Sequence, residues 1–331
     1  MASGKILRQL IKYGAEGNFD AFRRASEEVI KEERDKQHHL LANDLEKILY
    51  GRSAQPNGFR NLQEAIPVDQ ERGFPLMVVR EPVRRLEDLV LSDDNRSLLD
   101  EIFLEHHRAE HLRSFGLHPV DKILFFGPPG CGKTLTAEVI ASELNYPFAI
   151  IRVDGVVSSY LGETAANLRK VFDYISDNPM VVLFDEFDAL AKERSDGVEH
   201  GELKRVVNSV LQMMDAYRGK SLIIAATNHE GILDSAIWRR FEEILLFELP
   251  NLEQLRRLLN VKLRGVRQDF STNDNNHLLG SFKGMSHADV ERVIIRAIKG
   301  MILSGQEFLR ISHIDAALIA ENARKRRVKA N

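Results

Sequence analysis

A single cysteine, Cys131, among 331 residues leaves nothing with which to build an internal disulfide framework or a multi-cysteine zinc site. No apolar run exceeds six residues, against the ~20 that a helix needs to cross a bilayer. The opening segment MASGKILRQLIKYG lacks the apolar core and cleavage site of a signal peptide, so a cytoplasmic protein with no membrane partner is expected. Nor does one sign of charge dominate. The 46 Lys and Arg stand against 49 Asp and Glu, whereas a chain that grips nucleic acid over its whole surface leans basic. Hydrophobic residues at 44% and charged residues at 29% exclude a chain disordered throughout. The length suggests about two domains at ~150 residues each.

The pattern changes along the chain. Residues 1–51 read as a helical region: Phe22, Val29 and Ile30 share a face, and Leu40, Leu41, Leu45, Ile48 and Leu49 form a second stripe that Gly51 stops. Residues 52–84, rich in Gly, Pro, Asn and Gln in their first part, read as a linker. Five short apolar runs follow: KILFFG, FAIIRVD, MVVLFDE, SLIIAATN and EILLFELP, separated by helical patterns such as TLTAEVIASEL. Such alternation predicts an α/β domain over 85–249, with a five-strand parallel sheet covered on both faces. Residues 250–331 hold only helical patterns and end in a basic tail, ARKRRVKAN.

The turn after the first run reads Gly127, Pro128, Pro129, Gly130, Cys131, Gly132, Lys133, Thr134, which fits G-x-x-x-x-G-K-[ST] without a gap, and Leu135 carries on into the helix. Glycines let backbone N–H groups curl around phosphate oxygens, and the helix that follows turns its N-terminus to the negative charge. Lys133 is expected to reach the β- and γ-phosphates of ATP, and the Thr134 hydroxyl to ligate Mg²⁺. A carboxylate at the end of a neighbouring strand completes such a site. MVVLFDE supplies Asp185 for the metal and Glu186 to polarise the attacking water. Asn228, ending SLIIAATN, is placed to hydrogen-bond that water or the γ-phosphate. Asp188 stays open between a structural role, a second contact at the site and a contact to a neighbouring subunit.

In this order the segments GPPGCGKT, SSYLGETAANLRKVF, VVLFDEFDAL, IIAATN, AIWRRFEEILLFELP and GMSHADVERVIIRA resemble the AAA family of ATPases, within the wider AAA+ group, over about residues 85–320. The resemblance implies a P-loop α/β domain with a C-terminal helical lid, and a ring homo-oligomer, usually of six, with ATP between neighbours. It implies that Arg239 and Arg240 reach the γ-phosphate held by the next subunit. It also implies that Tyr160, Leu161 and Gly162 form a pore loop gripping a polypeptide substrate, with a second loop around His200. The arginine segment lacks a preceding Pro-Gly and is similar to that of the spastin and katanin branch. In the lid, His287 and Ala288 fall where the family sets Gly-Ala against adenine, so an imidazole stands in place of glycine.

The N-terminal helices, with YLGETAANLRKVFD and HGELKRVVNS, are similar to stand-alone bacterial AAA ATPases encoded beside subtilisin-like serine proteases, some of them in antiphage defence. The leading expectation is therefore an ATP-hydrolysing protein remodeller or unfoldase, with a serine protease as a partner. The alternatives are a nucleotide-dependent switch or scaffold that threads nothing, and a nucleic-acid motor resting only on the basic tail. His106, His107 and His111 read as a solvated helix face rather than a metal site, since Arg108 stands where a zincin has Glu. Cys131 reads as a filler whose thiol pKa the helix N-terminus would lower.

Overall fold

The computed structural model describes residues 8, 12–13, 19–35, 66–69, 73–152, 156, 161–187, 209–228, 238–271 and 276–329. Two compact units divide the chain, Met1–Ala65 and Ile66–Asn331. In the first, the helix α1 (Phe19–Asp35) buries Ala25 and Ile30, holds Val29 half-buried and leaves Phe22 exposed, so Phe22 does not join the buried face expected for it. Leu40, Leu41, Leu45, Ile48, Leu49 and Gly51 lie outside the described residues.

The second unit is organised by a sheet of six strands: β1 (Met77–Arg80), β2 (Lys122–Phe126), β3 (Phe148–Ile151), β4 (Val181–Phe184), β5 (Leu222–Thr227) and β6 (Glu243–Leu246). Their order is β1-β3-β4-β5-β2-β6. β2 to β6 are the five apolar runs, all parallel where they pair. The sixth strand corrects the expected count and makes the sheet mixed, because β1 pairs antiparallel with β3, Met77 opposite Ile151. It lies inside the stretch read as a linker. Its alternating burial suits an edge strand, and Arg80 fastens it with an ion pair to Glu138 at 2.8 Å and its guanidinium over the Phe148 ring at 5.4 Å.

Every residue of β4 and β5 is buried, as strands covered on both faces must be. On one face Ile123, Phe125, Leu183, Ile224 and Leu245 pack with Leu99, Ile102 and Phe103 of α2 (Asp93–His107) and Ala137 and Ile140 of α4 (Lys133–Glu143). On the other, Phe184 of β4 stacks at 6.1 Å on Phe172 of α5 (Leu161–Asp177). Burying each such side chain is worth roughly 1.5–3 kcal/mol. Between α2 and α3 (Ala109–Ser114) the chain breaks at Arg108, so His107 and His111 stand on two helices rather than on one face. His106 and His107 each spend a ring nitrogen on a backbone carbonyl, of Val120 and Phe103.

After the sheet come α6 (Leu252–Lys262), α7 (Asn276–Ser281), α8 (His287–Leu303) and α9 (Ile311–Lys329). They share a core of their own, including Leu255, Leu259, Phe282, Val293 and Ile314. No helix among the described residues is long and apolar enough to cross a membrane.

Candidate functional site

β5 is the middle strand of three, paired with β2 and β4, with Phe126 opposite Thr227 and Phe184 opposite Ala225. Their carboxyl ends therefore open side by side, where ligands settle on a parallel sheet. Gly127, Asp185 and Asn228 are the residues that immediately follow those ends. The register thus brings together groups that lie far apart in sequence.

The loop from Gly127 to Gly132 turns through three left-handed glycines, Gly127, Gly130 and Gly132. Two of them are also close approaches. A Cβ on Gly127 would lie 1.9 Å from the Phe247 carbonyl oxygen, and one on Gly130 would meet Ser286 Oγ at 2.8 Å. Lys133, only 7% exposed, donates from Nζ to the carbonyls of Gly127 at 2.6 Å and Pro128 at 3.0 Å, and to Asn228 Oδ1 at 2.8 Å. Thr134 Oγ1 donates to Asp185 Oδ2 at 2.8 Å. The ammonium, the hydroxyl and the carboxylate thus stand together at the carboxyl end of the sheet, a set of groups suited to a phosphate and a hard cation.

Glu186 follows with φ 51°, a conformation costly for a residue with a side chain, of order 1–3 kcal/mol. Both neighbours impose it. Its own N–H donates to Asp185 Oδ1 at 2.9 Å, while Phe187 N–H bonds the Ala226 carbonyl at 2.8 Å and the Phe187 ring is fully buried. The chain must reverse between an anchored Asp185 and an anchored Phe187, which leaves the Glu186 carboxylate exposed at the mouth of the cleft.

The cleft, about 340 Å³, runs from these polar groups past Cys131, Thr134 and Leu135 to Leu89, Val90, Leu258, His287 and Ala288. Asp88, Leu89, Val90, Leu258, Lys262 and Glu291 are lining residues that the sequence reading does not find. All but Glu291, which lies in the segment GMSHADVERVIIRA on α8, come from segments with no motif, and the approach of α6 to the loop before α2 makes them one wall. α8 is tied to the phosphate loop by Ala288 N–H donating to the Gly130 carbonyl at 3.0 Å. A capping box sets that end of the helix: Ser286 Oγ accepts from Asp289 N–H, and Asp289 Oδ2 accepts from Ser286 N–H. Lys325 of α9 braces Asp289 at 2.5 Å, and the nearly buried Glu321 pairs with Arg292 and Arg324. Two cations of the basic tail are therefore spent on the chain's own carboxylates.

Cys131 corrects its expectation. It is 2% exposed, and burial pushes its thiol pKa up against the opposing pull of Lys133. A neutral, enclosed sulfur is a filler and a poor nucleophile. His287 is shifted the other way. Burial, with help from the Lys262 ammonium, brings its imidazole down to about 4. The unfolded imidazole takes its proton near pH 6.5 and the folded one only near 4, so between these values the unfolded state binds more protons. Stability is expected to fall by roughly 3 kcal/mol as pH drops through that window. The measurement is the urea midpoint of the wild-type chain minus that of His287→Phe across pH 7 to 4. A pH-independent difference would refute the shift.

Arg239 and Arg240 stand elsewhere. They are separated by Phe241 and Glu242 from the start of β6, whose register sets Glu243 opposite Ile123, at the entry of β2. The phosphate loop leaves the exit of β2, a strand of five residues or ~16 Å. Arg240 is held by Asp215 at 2.8 Å, whereas Arg239 is exposed with no hydrogen-bond or ion-pair partner among the described residues. Both line a separate cleft of about 1170 Å³, with Arg113, Lys122 and Arg218. Tyr160, Asp188 and His200 lie outside the described residues. Leu161 and Gly162 are the first residues of α5, so Gly162 sits in a helical turn and not in the pliant loop expected of it.

A family model for the ATPase family associated with various cellular activities (AAA) matches residues 123–249. The chain is also similar to a protein of Sinorhizobium fredii (strain NBRC 101917 / NGR234), "Uncharacterized AAA family ATPase y4kL". The two are 40% identical over 327 residues, 98% of this chain and 97% of that one.

Proposed function

The chain belongs to the AAA family of ATPases, and on that premise we propose that it acts as a ring of six copies that spends ATP to pull on a polypeptide. The observation that carries the ring is the placement of Arg239 and Arg240 at the opposite end of β2 from Gly127. An arginine side chain is far shorter than that strand, so neither guanidinium reaches the phosphate site of its own chain. Arg239, with no partner among the described residues, is the one that reaches across to a phosphate held by another copy. Arg240, pinned by Asp215, stiffens its base.

In this reading Lys133 and the N–H groups of Gly130, Gly132 and Thr134 hold the triphosphate. Thr134 and Asp185 are oxygen donors 2.8 Å apart, a hard pair that fits Mg²⁺, which would neutralise phosphate charge there. Glu186 accepts a proton from the attacking water at the cleft mouth. Asn228, bonded to Lys133, reports the state of the phosphates to the end of β5. Helices α6 to α9 act as a lid over the nucleotide, through the contact of Ala288 with Gly130. Tyr160 and Leu161 grip the substrate, moved by α5, which begins at Leu161. The ATPase domain then starts at β1 rather than at residue 85, and residues 1–51 are left to dock a partner in the cytoplasm. A subtilisin-like serine protease in antiphage defence is the partner class that the sequence resemblance favours.

The test is native mass spectrometry of the Glu186→Gln chain, purified from its source cells in Mg-ATP. Six copies holding a substoichiometric polypeptide are expected, and the additional change Tyr160→Ala should empty that position and keep the ring. A monomer or dimer would sink the ring. A ring whose client ignores Tyr160→Ala would sink the threading.

A further inference from the structure

Between β1 and α2 the chain runs as a strap, residues 81–92, that joins no strand among the described residues and holds a single turn of 3₁₀ helix, Leu86–Asp88. Its far part is fixed by packing. Leu89 and Leu91 lie in or against the sheet core, and Val90 lies in the core of the helices α6 to α9. Its near part has no such burial: Val83, Arg84 and Arg85 are exposed, Val83 by 79%. Backbone with neither a ladder nor buried side chains keeps one course only if something else holds it.

Glu138 is what holds it. The residue is 7% exposed and stands on α4, the helix that Lys133 opens. Its Oε2 accepts from the Arg80 guanidinium at 2.8 Å, and its Oε1 accepts from Val83 N–H at 3.2 Å. A carboxylate taken out of water is costly unless its oxygens are paired. Here one partner belongs to the strap and the other to the strand that leads into it. Arg80 is itself fixed from behind, opposite Phe148 in the sheet with its guanidinium over that ring. Five residues after Val83 the strap reaches the nucleotide cleft, which Asp88, Leu89 and Val90 line. One helix therefore registers both ends of that cleft, the phosphate end through Lys133 and Thr134 and the opposite wall through Glu138.

Taking the cleft as the ATP site, we propose that Glu138 is a positioning residue for the ATPase reaction. Through Arg80 and Val83 it holds the strap at a fixed distance from the phosphate loop, and so sets the affinity for the nucleoside part of ATP. Glu138 is not among the residues that line the cleft. Freeing the strap lets the wall spread, so the nucleoside loses contacts while the phosphates keep theirs. The effect falls on KM and spares kcat.

The test compares two ligands by isothermal titration of the full-length chain. ADP spans both ends of the cleft, whereas pyrophosphate needs only the phosphate loop. Glu138→Ala is expected to weaken ADP about tenfold and pyrophosphate by less than about twofold. Arg80→Gln removes the ion pair from its half-exposed side and leaves Val83 N–H bonded, so a chain that tolerates no change at Glu138 can still be read. It should show the same pattern at about threefold, with KM for ATP raised alike and kcat unchanged. A purely structural role would move both ligands together. ADP binding unchanged in both variants, equal losses of ADP and pyrophosphate, or a fall in kcat at saturating ATP overturns the proposal and leaves the ATP site standing. Normal binding of ADP and pyrophosphate by Lys133→Ala would instead overturn the site reading, and the proposal with it.

Discussion

Glu186→Gln is expected to bind Mg-ATP as the wild-type chain does and to hydrolyse it ~10²–10⁴-fold more slowly, the usual contribution of a positioned general base. The geometry separates the two effects. Glu186 is linked to Asp185 by its backbone N–H, which glutamine retains. Glutamine also preserves size and polarity at an exposed position with φ 51°, so the strained turn survives. Single-turnover hydrolysis with a parallel binding titration reads both quantities. Unchanged hydrolysis would move the base role away from Glu186. A loss of ATP binding as large as the loss of rate would make it a structural residue.

The second large effect concerns Arg239. Its replacement by alanine is expected to cost ~10³–10⁵ in turnover, the value of an arginine supplied to a phosphoryl-transfer site. Folding should be spared, because the side chain is exposed and has no partner among the described residues. The decisive version mixes two inactive chains. Arg239→Ala keeps a sound phosphate loop, and Lys133→Ala keeps a sound arginine, so mixed assemblies contain sites built from the good half of each. Turnover that reappears on mixing establishes service between copies. Its failure to reappear, with co-assembly verified by mass, would mean that the arginine acts within its own chain, against the ~16 Å that β2 puts between the two.

The parts legible in the sequence were those that one segment specifies alone. β2 to β5 are continuous apolar runs because both their faces are covered, and the phosphate loop is a run of glycines whose left-handed turns need glycine. β1 escaped because Met77–Arg80 is short, alternates buried and exposed positions, and stands between Pro75 and Pro82. An edge strand needs little more than a partner's free side. The wall opposite the phosphates escaped for another reason. Asp88, Leu89 and Val90 meet Leu258 and Lys262 only through tertiary packing, and no spacing along the chain encodes that meeting. Arg108 breaks the helix between the histidines with no glycine or proline to mark it.

Gly127 and β6 share a consequence that is mechanical. The loop lies against the Phe247 carbonyl so closely that not even a methyl group fits between them, and β6 is hydrogen-bonded to β2 along its length. β6 is thus a stiff strut with the phosphate loop wedged at one end and Arg240, held by Asp215, at the other. A loop that shifted with its phosphates would press on the Phe247 carbonyl at once, and the ladder to β2 would hold β6 against sliding, so the push would be shared along the strand rather than absorbed at the contact.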